Sequence, residues 1–188
     1  DIDFKPMQLA RVDLCMTTGW RGNSIEARVF ETFSGRRIVG KLYRDVDSLT
    51  LAQAADRFCS AFLEALTGKK GFFDSPLAFV RQEGKTKEIF TVLPQGRDLK
   101  RITKLGGYNL SPSWSIDGSR IAFTHIGKKR HELGIYDSKT KKITMISRGL
   151  GQTVISPVFG PDDQVTVALN REGVTDIYEL DKRYKSTR

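Results

Sequence analysis

The stretch NLSPSWSIDG at residues 109–118 recurs as VISPVFGPDD at residues 154–163, 45 positions later. Both copies carry, in the same order, a Ser-Pro pair, an aromatic residue and an acidic turn. The similarity continues downstream in two further pairs of segments: 121–123 with 165–167, and 134–137 with 176–179. A β-strand unit that repeats about every 40 to 50 residues is typical of β-propeller blades.

The repeated residue types suit such a blade. Pro112 and Pro157 are expected at the entry of the innermost strand, where a missing N–H removes no ladder hydrogen bond. Trp114 and Phe159 provide bulk for the apolar layer between neighbouring blades. Hairpin turns are predicted after each copy, at residues 116–118 and 161–163.

The chain after Gly71 reads as short β-strands separated by Gly, Asp, Asn, Lys or Pro. The predicted strands are 77–82, 88–93, 99–104, 121–126, 133–137, 142–147, 164–169 and 175–180. Residues 89–92 and 99–102 resemble the outer strands of a third, partial copy. Evenly spaced strands fit a sandwich, a barrel or a propeller, and the repeat favours the propeller.

The first part of the chain has a different pattern. Alternating residues predict strands at 9–16, 25–33 and 36–43, with a turn at Gly22-Asn23, and therefore an antiparallel meander. Apolar residues at helical spacing predict a helix over 49–67, with Ser48 as N-cap and Gly68 as the C-terminal glycine.

The predicted fold is thus an α+β domain at residues 1–75 followed by all-β propeller blades at residues 76–188. The 188 residues are 39% hydrophobic and 28% charged, which excludes a disordered chain, and no apolar run approaches the length of a membrane span. The formal net charge is +9, and residues 81–188 account for +8 of it, with 20 basic and 12 acidic side chains. A basic half can attract nucleic acid, anionic lipid or an acidic protein, or it can be a solvated surface.

Cys15 and Cys59 are the two cysteines. They could form a disulfide if the predicted helix packs on the meander in an oxidising compartment, or they could be buried free thiols. Two cysteines without neighbouring histidines cannot complete a zinc site, and we predict no metal or cofactor site.

Two motifs together resemble the TolB family. One is the blade motif SPSWSIDGSRIAF, which also occurs in propellers of prolyl-peptidase type. The other is the segment AFLEALTGKKGFFDSPLAFV at 61–80, which is similar to the junction between the amino-terminal domain and the propeller of that family. The matching junction residues are Leu66, Thr67, Gly68, Gly71 and Phe73, followed by Ala78, Phe79 and Val80.

The second copy departs from the family pattern at Phe159, Gly160 and Asp163. The resemblance implies a six-bladed propeller, of which this chain holds three partial or whole blades, and a start inside the amino-terminal domain. We therefore expect either a piece of a longer protein or a divergent relative.

The resemblance also implies a function. It predicts a non-catalytic periplasmic scaffold of the Tol–Pal cell-envelope system that binds a peptidoglycan-associated lipoprotein and other Tol proteins. Such a scaffold supports outer-membrane integrity and cell division, and nucleic acid is not an expected partner.

Propeller connectivity predicts that four loop regions cluster on one face: residues 106–111, 125–132, 149–156 and 170–174. In the family this face contacts the lipoprotein, and Thr153 and Ser156 align with contact positions. The predicted partner-binding residues are Tyr108, Asn109, Lys128, Lys129, Arg130, Gln152, Thr153 and Ser156.

Catalytic signals are weak. Residues 35–41 resemble a phosphate-binding loop, but Leu42 occupies the position of the magnesium-binding Ser or Thr, and the stretch reads as a strand. His125 and His131 are interpreted as surface or loop residues, and no Gly-x-Ser-x-Gly elbow is present. Two alternatives stay open: the substrate-gating propeller of a prolyl-oligopeptidase-like enzyme, and a basic nucleic-acid-binding module.

Overall fold

The computed structural model describes residues 2–128, 131–147 and 153–187. Its helices and strands are α1 (Lys5–Leu9), β1 (Leu14–Arg21), β2 (Ser24–Glu31), β3 (Arg37–Tyr43), α2 (Leu51–Thr67), β4 (Leu77–Glu83), β5 (Thr86–Val92), β6 (Lys100–Arg101), β7 (Tyr108–Trp114), β8 (Arg120–Ile126), β9 (His131–Asp137), β10 (Ile143–Ser147), β11 (Thr153–Phe159), β12 (Val165–Arg171), β13 (Val174–Leu180) and β14 (Ser186–Thr187). The fold is mostly β-sheet. The chain divides into two compact units, residues 1–75 with 93–95, and residues 76–92 with 96–188.

The first unit contains the predicted antiparallel meander, in the order β1-β2-β3. The turn at Gly22-Asn23 is confirmed, because Arg21 pairs with Ser24 across it. The strand predicted from residue 9 is wrong at its start, since β1 begins at Leu14 and residues 5–9 are helical. Pro6 in the first turn favours that short helix, because its fixed φ suits the position and its missing N–H is not needed there.

Helix α2 begins two residues later than predicted, and Ser48 is not its N-cap. The carboxylate of Asp47 instead accepts hydrogen bonds from the backbone N–H groups of Leu49 (3.0 Å) and Thr50 (2.8 Å) and from the Thr50 hydroxyl (2.7 Å). These bonds lower the pKa of Asp47, and the bond from the Thr50 hydroxyl is the largest cause. The helix then packs Phe58 on Ala27 and Val29 of the meander, which forms the core of this unit.

Neither cysteine is in a disulfide, and the expectation that both thiols are buried is wrong. Cys59 is exposed on α2 and Cys15 is half-buried on β1. The other motif considered in this unit, residues 35–41, leads into β3 rather than a helix, as the sequence indicated.

The junction motif after α2 is held by close backbone contact. Gly68 ends the helix in the left-handed conformation, with its N–H bonded to the carbonyl of Glu64, as predicted. Gly71 is buried against the backbone of Ser60, so that an added Cβ would overlap the Ser60 carbonyl oxygen. The Ser60 hydroxyl also bonds Asp74 at 2.7 Å. The motif therefore needs glycine at 71 because the chain passes directly over the helix.

We expect Gly71→Ala to lower the free energy of unfolding by about 1–3 kcal/mol, because the added methyl group must displace backbone. Urea denaturation followed by circular dichroism measures the change. Gly19→Ala is the matched control, since its added Cβ meets no heavy atom of the described residues within 4 Å, and a change within about 0.5 kcal/mol is expected there. Equal stabilities of the two variants would contradict this account of the junction.

The second unit contains two sheets. One sheet runs in the order β10-β9-β8-β7-β5-β4, and β6 also pairs with β5. The second sheet runs in the order β11-β12-β13-β14. We call β7–β10 the first blade and β11–β14 the second blade. Strand β5 joins the first blade through a parallel bridge between Lys87 and Tyr108.

The Ser-Pro pairs lie inside the innermost strands rather than at their entry, so the predicted position of the prolines is wrong. In the first blade the register shifts between Leu110 and Ser113, and in the second between Ile155 and Val158. Ser111 and Ser156 have positive φ values of 53° and 48°. The prolines are tolerated because each one lies in a β-bulge, where the ladder is already interrupted.

The alignment of the third strands, residues 134–137 with 176–179, is also wrong. Strand pairing sets the true equivalence: Ile121 pairs with Tyr136, and its counterpart Val165 pairs with Leu180. Tyr136 is thus equivalent to Leu180 rather than to Tyr178. The sequence pattern misled because the pair Phe123–Gly134 of the first blade is replaced by Val167–Tyr178, which exchanges the larger side chain between strands.

The first blade buries apolar side chains on both faces. Ile121 and Phe123 pack with Ile89 of β5. On the opposite face, Ala122 and Leu133 pack against the second blade, whose contributing residues are Val154, Phe159, Val165, Val167, Leu169 and Leu180. Trp114 packs on the first of these clusters, so the prediction that the aromatic residues fill the layers between blades is confirmed.

The predicted turn at residues 116–118 is confirmed and is organised by one carboxylate. Asp117 accepts hydrogen bonds from the hydroxyls of Ser115 and Ser119, both at 2.6 Å, and from the Ser119 N–H at 3.0 Å. The Ser115 hydroxyl, followed by that of Ser119, holds the pKa of Asp117 well below its usual range. Ionised Asp117 therefore stabilises the turn at pH values above the ordinary Asp pKa of about 3.9, and this contribution is lost as the pH falls through the lower folded pKa.

We expect Ser115→Ala to raise the pKa of Asp117 toward about 3.9, since it removes one of the two hydroxyls that donate to the carboxylate. Carboxyl ¹³C NMR during an acid titration measures this pKa. Ser138→Ala removes a neighbouring hydroxyl that does not bond Asp117 and serves as the control. An Asp117 pKa that is unchanged by Ser115→Ala would show that this hydroxyl is not the cause.

Candidate functional site

One end of the first blade holds the described residues of two of the four loop regions that were predicted to form a binding face, 106–111 and 125–132. Strand pairing places Tyr108 opposite Ile126, and Ile126 opposite His131. Lys128, between these last two strands, is exposed at the same end. The order of strands therefore brings Tyr108, Lys128 and His131 together although the chain separates them.

Tyr108 is the large exposed side chain of this end, with 46% of its surface accessible. The Lys87 ammonium lies 5.7 Å from the centre of its ring, within the range of a cation–π contact. The parallel bridge between the two residues fixes this arrangement. The end thus presents an aromatic ring beside positive charge.

Asn109 occupies a different position from its neighbour. It is fully buried, and its side-chain NH₂ faces three oxygens: Glu88 Oε2 (3.0 Å), the Lys87 carbonyl (3.0 Å) and the Gly106 carbonyl (3.3 Å). Its side chain has no surface to offer a partner. The structure moves Asn109 from the predicted contact residues to the residues that support them.

A buried carboxylate lies at the centre of this support. Glu88 is 1% exposed, and its Oε2 accepts from the Thr103 hydroxyl at 2.6 Å as well as from Asn109. Its Oε1 accepts from the Gly106 N–H at 3.2 Å and lies 3.2 Å from the Arg101 guanidinium. Every neighbour of the carboxylate is a donor, which is the arrangement a buried anion requires.

His125 extends the same network toward the surface. Its Nδ1 lies 2.9 Å from Asn109 Oδ1. Because the Asn109 NH₂ faces three acceptors, its carbonyl oxygen must face His125, and Nδ1 must carry the hydrogen. The interpretation of His125 as a surface or loop residue is therefore wrong, since it is half-buried on β8 and bonded to Asn109.

The second blade supplies the other predicted residues. Thr153 starts β11, is half-buried and pairs with Asn170, while Ser156 is exposed on the bulge. Lys129, Arg130 and Gln152 lie outside the described residues. Of the predicted site residues that the structure describes, Tyr108, Lys128 and Ser156 are exposed, and Thr153 is half-buried. Asn109 is buried beneath Tyr108's loop.

Glu88, Arg101 and Thr103 were not predicted from the sequence as parts of the site. A signal was present, because Glu88 interrupts an apolar strand at a position that the alternation assigns to the interior. A charge at such a position indicates a buried partner. Recognising that partner required residues 15 and 21 positions away, which the pattern of one strand cannot supply.

Two further features of the described part of the chain bear on its chemistry. Residues 2–128, 131–147 and 153–187 contain no group of three or more His, Cys, Asp or Glu side chains that could hold a metal ion. Over the same ranges, the helices are too short or too polar for a membrane crossing.

Comparison with known proteins connects this geometry to a family. A sequence profile of the TolB beta propeller domain matches residues 63–188. The chain is also 45% identical to the Tol-Pal system protein TolB of Nitratidesulfovibrio vulgaris, in an alignment that covers all of this chain and 44% of that relative. The chain belongs to the TolB family.

Other TolB proteins agree. The Tol-Pal system protein TolB of Desulfosudis oleivorans is 35% identical over 83% of this chain and 35% of its own length. The crystal structure of TolB from Acinetobacter baumannii superposes with a TM-score of 0.86 at 21% identity, over the whole chain and 49% of that protein. This match shows a shared fold. The chain spans less than half the length of these TolB relatives.

Proposed function

We propose that the chain is part of a non-catalytic periplasmic scaffold of the Tol–Pal system, which binds a peptidoglycan-associated lipoprotein and other Tol proteins and so supports outer-membrane integrity and cell division. The observation that carries the proposal is the exposed Tyr108 beside Lys87, with Lys128 exposed at the same end of the first blade. Membership of the TolB family supports the choice of partner.

The proposed architecture follows the same division as the sequence prediction. Residues 1–75 form an α+β domain, and residues 76–188 form blades of a six-bladed propeller. The two stacked blades and the match to a TolB crystal structure support this arrangement.

The proposed contact has a hydrophobic and an electrostatic part. Tyr108 offers a ring that a partner can bury at low cost in side-chain entropy. Lys128, with Lys129 and Arg130 following in the sequence, gives a basic rim that attracts an acidic partner and speeds association. Gln152, Thr153 and Ser156 would extend the contact onto the second blade.

The substrate-gating propeller of a peptidase is the less favoured candidate. The blade motif is common to both classes, but the family profile covers the junction segment as well as the blades. The junction is the part of the sequence that separated the two classes. A basic rim attracts an acidic protein as well as nucleic acid, so the net charge of +9 does not by itself favour nucleic-acid binding.

The test is the affinity of this chain for the purified soluble domain of a peptidoglycan-associated lipoprotein, measured by isothermal calorimetry. We expect Tyr108→Ala to weaken binding by about tenfold or more, as for a buried aromatic anchor. Lys128→Ala should weaken it by a few fold, roughly, with an effect that shrinks as salt is raised.

Matched controls lie at the opposite end of the first blade. Ile116 is exposed in the turn after β7, and Lys139 is exposed in the turn after β9. Ile116→Ala and Lys139→Ala remove a comparable apolar and a comparable basic side chain and should leave the affinity unchanged. Absence of binding by the parent chain, or equal losses at both ends, would reject the proposed face.

A further inference from the structure

The entry loop of the first blade is held in an unusual backbone conformation. Gly106 and Gly107 both have positive φ, at 71° and 61°. An added Cβ at Gly107 would overlap the carbonyl oxygen of Ile126. Two consecutive left-handed residues form a tight turn directly before Tyr108, so the direction of the Tyr108 side chain depends on how this turn is fixed.

The turn is fixed from one side by β5. The Lys87 N–H donates to the Gly107 carbonyl at 3.0 Å, and Glu88 Oε1 accepts from the Gly106 N–H at 3.2 Å. Asn109 closes the loop by donating to the Gly106 carbonyl at 3.3 Å and to Glu88 Oε2 at 3.0 Å. The carboxylate therefore contacts the loop both directly and through Asn109.

We infer that Glu88 is a positioning residue: its buried carboxylate fixes the Gly106–Asn109 loop and thereby presents Tyr108 on the proposed lipoprotein-binding face. The effect on affinity rests on the proposed function, whereas the effect on the loop does not. Arg101 balances the buried charge, and Thr103 holds the carboxylate in place while its own oxygen accepts from the Ile89 N–H at 2.9 Å.

Glu88→Gln is a sharp test because each carboxylate oxygen faces two donors. Whichever way the amide of the glutamine is oriented, its NH₂ group faces at least one N–H donor that cannot accept a hydrogen bond. In one orientation the bonds to Gly106 and Arg101 are lost, and in the other the bond to Asn109 is lost and the Thr103 hydroxyl must accept instead of donate. The variant keeps the size of the side chain, so packing alone predicts no change.

The first measurement is amide hydrogen exchange by NMR on the 188-residue chain. We expect Glu88→Gln to speed exchange at the Gly106 and Asn109 amides by about tenfold or more relative to second-blade amides such as Val167. Thr103→Val removes one donor to the carboxylate and should act in the same direction. Thr103→Ser keeps the hydroxyl and should restore the parent behaviour.

The second measurement is the tautomer of His125, which is easily assigned because the chain has two histidines. In the parent at about pH 9, where imidazole is uncharged, ¹⁵N NMR should show hydrogen on Nδ1. Glu88→Gln should move part of the population to the Nε2–H tautomer, since the Asn109 NH₂ loses the charged carboxylate as an acceptor and keeps the Lys87 and Gly106 carbonyls alone. A general loss of stability would not change this tautomer.

The third measurement is affinity for the soluble lipoprotein domain, which should fall about tenfold in Glu88→Gln. Ile89→Val is the matched control: it lies next to Glu88, is fully buried and faces the apolar cluster. It should leave the loop exchange, the tautomer and the affinity unchanged.

The outcomes are separable. Unchanged loop exchange and tautomer in folded Glu88→Gln would overturn the inference, and so would a loosened loop with full affinity. If the parent binds no lipoprotein, the proposed function fails, and exchange and tautomer alone decide whether Glu88 positions the loop. If Glu88→Gln does not fold, the comparison of loop exchange in Thr103→Val and Thr103→Ser decides whether the carboxylate positions the loop.

Discussion

Packing between sheets is the constraint on which the second unit depends. The first blade is apolar on both faces, and the second blade is apolar on the face that packs against the first, so a single blade leaves large hydrophobic surface in water. Ala122 and Leu133 of the first blade are fully buried only because Val165 and Val167 of the second blade lie against them. This stacking gives the blades a fixed order and leaves their loops at the ends of the sheets, where polar groups can be exposed.

The interruptions in the strands are tolerated because they lie where polar groups can be exposed. The Ser-Pro bulges remove ladder hydrogen bonds in the innermost strands, at Ser111 and Ser156, where both serines are exposed. The buried carboxylate of Glu88 is tolerated for a different reason, which is that all of its neighbours are donors. An apolar core accepts such a group only when its hydrogen bonds are complete. A satisfied polar cluster at the end of a blade can thus specify a loop conformation that apolar packing leaves open.

The sequence was most informative where periodicity alone sets the structure. It predicted the antiparallel meander, the end of α2 at Gly68 and the succession of short strands, since alternation and helical spacing are properties of neighbouring residues. It failed where two local solutions compete. By residue type Ser48 is a good N-cap, but the helix begins at Leu51, and the carboxylate that binds the amides before it belongs to Asp47.

The repeat illustrates the boundary between sequence and tertiary structure. Spacing and residue types were enough to predict propeller blades and to suggest the family, because each blade must solve the same packing problem with similar residues. Spacing could not align the third strands, because the large side chain of an equivalent pair changes strand. Phe123 lies opposite Gly134 in the first blade, whereas Val167 lies opposite Tyr178 in the second. Nor could it separate exposed Tyr108 from buried Asn109. Adjacent residues of a strand point to opposite sides, and only the packing of β5 against β7 decides which side is interior.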